Sequence, residues 1–150
     1  MRVGIEVDIA ASPQRVWDVM RDVERWPEWA ASMINVALLN GRELAMGSKA
    51  RIRQPRLPVM VWEVTKIDPQ RGFIWQTKSM GAVIRAEHWI TARDGGSHVS
   101  LRVEINGLLE PLFRPWLTRM TRRNVEIEAV GLKRRCEEMA RGKGNHHEGH

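Results

Sequence analysis

The chain reads as an α+β fold in which a curved antiparallel sheet of seven strands wraps around a long C-terminal helix, with two short helices after the first strand. Three observations predict it. Val3, Ile5, Val7 and Ile9 alternate with polar Glu6 and Asp8, the period of a half-buried strand. Between Met33 and Asn106 the text breaks into short strand-like runs separated by turn residues. After Gly107 the pattern becomes helical and stays so over about 112–140.

Each element has a local reason. Ser12 suits an N-cap and Pro13 the first helical position, where a missing N–H costs nothing. Val16, Met20 and Val23 then share one helical face beside Trp17, and Trp26-Pro27-Glu28-Trp29 ends the helix, because proline disfavours helix in the residue before it. A short second helical turn is expected there. The strands fall at 33–39, 48–54, 59–67, 72–79, 82–93 and 98–106, punctuated by Asn40-Gly41, Met46-Gly47, Asp68-Pro69, Arg71-Gly72, Gly81 and Asp94-Gly95-Gly96-Ser97. If Asp94 faces Ser97 in the last hairpin, Ile90 lies opposite Leu101 and His88 opposite Val103, which puts His88 on the apolar inner face. Trp89 then meets Arg102 on the outer face in a cation–π contact. In the long helix Phe113, Trp116, Met120 and Ile127 share one face, and Val125, Ala129, Leu132 and Cys136 share another. One face packs on the sheet and leaves the other to cover a ligand, a partner or a membrane surface. Residues 1–141 form one domain, and Gly142 closes the helix ahead of a disordered polar tail, 142–150.

Composition narrows the class. At 150 residues, 43% apolar and 28% charged, the chain suits one globular domain and not a disordered one. No run approaches the ~20 apolar residues of a membrane helix. Glu6 interrupts the stretch where a signal peptide would be apolar, and a lone Cys136 cannot form an internal disulfide, so a cytoplasmic location is expected. Nine of the basic residues and four acids lie between Pro111 and Lys143, which supplies most of the net +6. Such a segment suits an anionic partner or a solvated helix face. Lys49, Arg51, Arg53, Arg85 and Arg102 lack any accompanying nucleic-acid motif, so no nucleic-acid partner is expected. Nucleophile motifs, phosphate-binding glycine loops and zinc spacings are absent from the sequence, so no cofactor and no metal are expected; the His146-His147-Glu148-Gly149-His150 tract is too isolated to make a site.

The run Ile9-Ala10-Ala11-Ser12-Pro13-Gln14-Arg15-Val16-Trp17-Asp18-Val19-Met20, with Asp22 and Trp26-Pro27-Glu28-Trp29, carries a family likeness. So do Gly47, Trp62-Glu63-Val64-Thr65 leading into Asp68-Pro69, Trp75, Gly95-Gly96-Ser97-His98-Val99, Gly107 and Leu132-Lys133. Over about residues 3–138 the chain resembles the START-like or Bet v 1-like (SRPBCC) superfamily, specifically its bacterial polyketide cyclase/dehydrase and lipid-transport branch. The resemblance implies the helix-grip fold and a deep apolar cavity between sheet and helix. Members bind lipids, sterols, polyketides or plant hormones, and some cyclise or dehydrate them.

Against that expectation the candidate cavity residues are Trp29, Met33, Ile52, Met60, Trp62, Trp75, His88, Ile90, Leu101, Val103, Trp116 and Met120. Indoles dominate because the chain has seven Trp, two Phe and no Tyr; Trp17 and Trp26 read as structural. His88 is the candidate general acid/base, although no carboxylate partner can be assigned to it, since Glu87 and Glu104 fall on the opposite face. The expected function is binding, with transport or presentation, of a small hydrophobic ligand. A cofactor-independent cyclase or dehydratase is the alternative. A third expectation is a membrane- or protein-contact module on the C-terminal helix, because Phe113, Trp116, Leu117 and Met120 sit among Arg114, Arg119, Arg122 and Arg123, a composition suited to transient contact with anionic membrane. The protein is expected to be a monomer or homodimer.

Overall fold

The computed structural model describes residues 1–148, with side chains through residue 142. The strands are β1 (Arg2–Ile9), β2 (Asn35–Leu38), β3 (Lys49–Arg53), β4 (Met60–Asp68), β5 (Gly72–Ser79), β6 (Ala82–Arg93) and β7 (Gly96–Gly107). They form one antiparallel sheet in the order β1-β7-β6-β5-β4-β3-β2. The first two strands in the chain are therefore the two edges. The helical segment between them, α1 (Pro13–Arg21) followed by a 3-10 helix (Val23–Glu28), must cross the whole concave face. The long helix α2 (Glu110–Glu148) lies over the β1–β7 side of that face and against α1.

Local chemistry sets these ends. Ser12 Oγ accepts from the Arg15 N–H at 3.2 Å, with Pro13 opening α1. Asp22 leaves helical geometry, so α1 stops before Trp26-Pro27, and the second helical turn begins at Val23. Trp26 is buried inside that turn, and its indole N–H donates to Met20 O at 2.9 Å. Residues 72–79 and 82–93 are strands as expected, and β3 alternates exposed Lys49, Arg51 and Arg53 with buried Ala50 and Ile52.

Two expectations are corrected. In the β6–β7 hairpin Ile90 pairs with Val99 and His88 with Leu101, two residues from the expected register, because Asp94-Gly95 alone makes the turn and Arg93 already pairs with Gly96. A slip of two preserves the face, so His88 stays inside. Trp89 therefore faces Ser100, and its cation is Lys66, 5.6 Å from the ring centroid. Gly142 does not end the helix. It lacks the left-handed φ of a helix-stopping glycine, and the backbone stays helical through Glu148. The side chains of 143–150, including the histidine tract, lie outside the described residues.

Two glycines hold the sheet close. Gly72, at φ +145°, passes so near β6 that an added Cβ would stand 1.8 Å from His88 O. Gly107 sits against the β5–β6 turn, where a Cβ would come within 2.9 Å of Gly81 O. Replacing Gly72 with alanine combines a disfavoured φ with a backbone collision. Gly72→Ala is therefore expected to lower unfolding free energy by at least about 2 kcal/mol, read as a lower urea midpoint at unchanged slope.

Candidate functional site

The concave face and the first half of α2 meet only in part. Between them lies a cavity of about 490 Å³, within the range of small-molecule sites. The strands contribute alternate inward residues: Ile52 from β3, Met60 and Trp62 from β4, Trp75 from β5, His88 from β6, and Leu101 and Val103 from β7. Met33, from the segment after the 3-10 helix, closes one side, and Met120 of α2 forms part of the roof. Trp116 borders the cavity but is 59% exposed, which puts it at the rim.

Two expected residues lie elsewhere. Trp29 is buried against Trp26, with ring centroids 5.6 Å apart, and α2 presses Gly131 against its carbonyl. Ile90 is buried near the hairpin end of β6, the part of the sheet that α1 covers. Both are core. Conversely, Trp26, read from sequence as structural, reaches the cavity wall, as do Ala86, Thr121, Asn124 and Glu128. The last three continue the helical face of Leu117 at intervals of three and four, a polar strip that the spacing itself carries.

Glu128 is the partner that sequence could not assign to His88. Its Oε1 stands 3.2 Å from His88 Nε2, and the His88 side chain is only 4% exposed. Phe73 stacks on the imidazole at 4.3 Å and 11°, Trp75 meets it edge-on at 5.8 Å, and Trp26 lies 5.4 Å away. His88 Nδ1 is buried without a hydrogen-bond partner. A carboxylate beside Nε2 favours the proton on that nitrogen in the neutral ring, which leaves Nδ1 as an acceptor. The ring is thus oriented by one charged neighbour and immobilised by three aromatic ones. Cys136 takes no part: burial pushes its thiol up to about 12, so it stays protonated packing.

Glu110 ties the cavity's helical side to the sheet. Buried at the start of α2, it accepts from Arg114 Nε at 2.8 Å and lies 3.3 Å from the N-terminal ammonium. The Arg114 guanidinium, and after it the ammonium, holds the Glu110 carboxyl down at about 2, against its usual 4.5. A depressed carboxyl contributes stability that is complete above its ordinary pKa and lost as pH falls toward the folded value. Unfolding free energy should therefore fall between pH 4.5 and about 2, and Glu110→Gln should lose less across that window, in urea melts at neutral pH and about pH 3.

A curved sheet gripping a terminal helix over an internal cavity defines the helix-grip class of cavity proteins. Residues 1–137 match the family described as polyketide cyclase / dehydrase and lipid transport, and the chain belongs to that family. Solved structures agree in fold. The Zhui aromatase/cyclase from a Streptomyces species is 17% identical, with a TM-score of 0.80 over 96% of this chain and 98% of that one. A START superfamily protein from Mycobacterium smegmatis is also 17% identical, with a TM-score of 0.76 over 92% and 98%. The di-domain aromatase/cyclase of the steffimycin biosynthetic pathway is 12% identical, with a TM-score of 0.75 over 93% of this chain and 51% of that one. No curated protein matches the sequence. No helix among the described residues is long and apolar enough to cross a membrane.

Proposed function

We propose that this protein binds a small, mostly hydrophobic molecule, such as a lipid or polyketide, in the cavity between the sheet and α2, and carries or presents it without a cofactor. The carrying observation is the cavity of about 490 Å³ bounded by indole, methionine and aliphatic side chains. Folded interiors pack as densely as organic crystals and leave few voids larger than a water. A space of this size within an otherwise close-packed sheet is thus a site for a guest. Its apolar walls exclude a highly charged ligand, and the strip of Thr121, Asn124 and Glu128 offers polar atoms to orient one end of it.

The His88–Glu128 pair favours a second reading, a cyclase or dehydratase acting on a polyketide in the same space. An imidazole held by a carboxylate can accept a proton from an acidic carbon between two carbonyls and return it to a departing hydroxyl. Glu128 serves as the positioning group.

Saturable uptake of a fluorescent fatty acid is expected for the wild type. Ala86→Trp, which fills the cavity from its floor, should weaken uptake by about tenfold or more while the protein stays folded. A wild type that takes up no hydrophobic probe and carries none from its own host in native mass spectrometry overturns the binding reading. For the second reading, cyclisation of a poly-β-ketone should fall by about a hundredfold in His88→Ala; turnover unchanged by that substitution removes it.

A further inference from the structure

The exposed apolar side chains are not scattered. Leu108, Leu109, Leu112 and Trp116, at the β7–α2 junction and on the first turns of α2, are 98%, 59%, 73% and 59% exposed. Met80, at the tip of the β5–β6 turn, is 86% exposed. Gly107 joins these two groups: it pairs with Ala82, and a Cβ added to it would stand 2.9 Å from Gly81 O, so the Met80 turn abuts the strand end that leads into Leu108. Both groups border the cavity, to which Met80, Leu109 and Trp116 all contribute, together with Arg56 and Leu57 of the β3–β4 loop. Exposed cations accompany each segment: Arg56, Lys78, and Arg119 and Arg123, which follow Trp116 at three and seven residues and so continue its face. Apolar tips ringed by cations therefore surround the cavity mouth on three separate chain segments.

We propose that this rim docks on an anionic lipid bilayer, with Met80, Leu108, Leu112 and Trp116 entering the headgroup–acyl boundary and the arginines meeting lipid phosphates. Side chains that project as far as Leu108 and Met80 need no complementary pocket in a fluid acyl layer, and an indole favours the interfacial level. The charge selects among occupants. A second copy meeting this face about a two-fold axis would bring two sets of these cations into one interface, whereas anionic lipid neutralises them. Docking here brings the cavity mouth onto the membrane, so a hydrophobic guest can pass between bilayer and cavity without crossing water. That consequence rests on the binding reading above; the docking itself does not.

Sedimentation with vesicles tests it directly. The full chain should bind vesicles of phosphatidylcholine with about one-quarter phosphatidylglycerol, bind pure phosphatidylcholine about tenfold more weakly, and release as salt rises. Leu112→Glu with Trp116→Glu, both at exposed positions, should abolish binding while far-ultraviolet circular dichroism and the urea midpoint hold. Trp116→Phe should keep binding but lose the quenching of tryptophan emission by brominated lipid. Absence of binding to anionic vesicles, binding that survives the double substitution, or a dimer in sedimentation that the double substitution converts to monomer each overturns the proposal. Probe uptake measured without vesicles reports on the cavity alone, so the two readings fail separately.

Discussion

The structure depends on the one-sided seating of its terminal helix. From Val125 onward α2 buries Val125, Ala129, Leu132 and Cys136, most of them in its second half. It is stitched to the end of β1 by polar contacts: Lys133 Nζ donates to Asp8 O at 2.6 Å and to Glu137, and Glu137 accepts the Ala10 N–H at 2.9 Å. That backbone N–H, with Lys133 beside it, also holds the Glu137 carboxyl below its usual range. Gly131 lets the helix settle on the Trp29 carbonyl, where a Cβ would stand 2.0 Å from the oxygen. With this half fixed against β1, β7 and the helical crossover, the first half is carried out over the open part of the sheet. The cavity is the volume that this leverage leaves unfilled.

An aromatic layer keeps that volume from collapsing. Trp26, Phe73, Trp75, Trp62 and His88 form a continuous series of ring contacts, all with centroids within 6.2 Å of a neighbour. Large rigid rings that lock one another cannot repack into a neighbouring void as short aliphatic chains can, so the floor is preorganised. The same layer isolates His88 from water and leaves Glu128, on the roof, as its charged neighbour.

Most of the fold was legible in the chain because its signals are local. The strands at 72–79 and 82–93 are bracketed by turn residues, and their ends coincide with the expected ones. The hairpin register differs from the expected one by two residues, and a side-chain period of two keeps His88, Ile90 and Leu101 inward. The two faces of α2 were separable by angle alone, and the Val125–Cys136 face is buried. Ile90 was legible as an inward residue, and both it and Trp29, expected at the cavity, are core. Which side of the aromatic layer each would occupy was not, because that depends on where the helical crossover lies against the sheet.

The sequence by itself determined element types, inward faces, the family and the apolar character of the interior, since propensity, period and turn chemistry act over a few residues. Only the tertiary structure decided which of those residues bound the cavity and which fill the core. It alone brought Glu128 to His88 across forty positions of chain and gathered Met80, Leu109 and Trp116 around one cavity. Those meetings depend on the rotation and tilt of a long helix against a curved sheet, quantities set by the sum of many distant contacts and encoded in no single stretch of the chain.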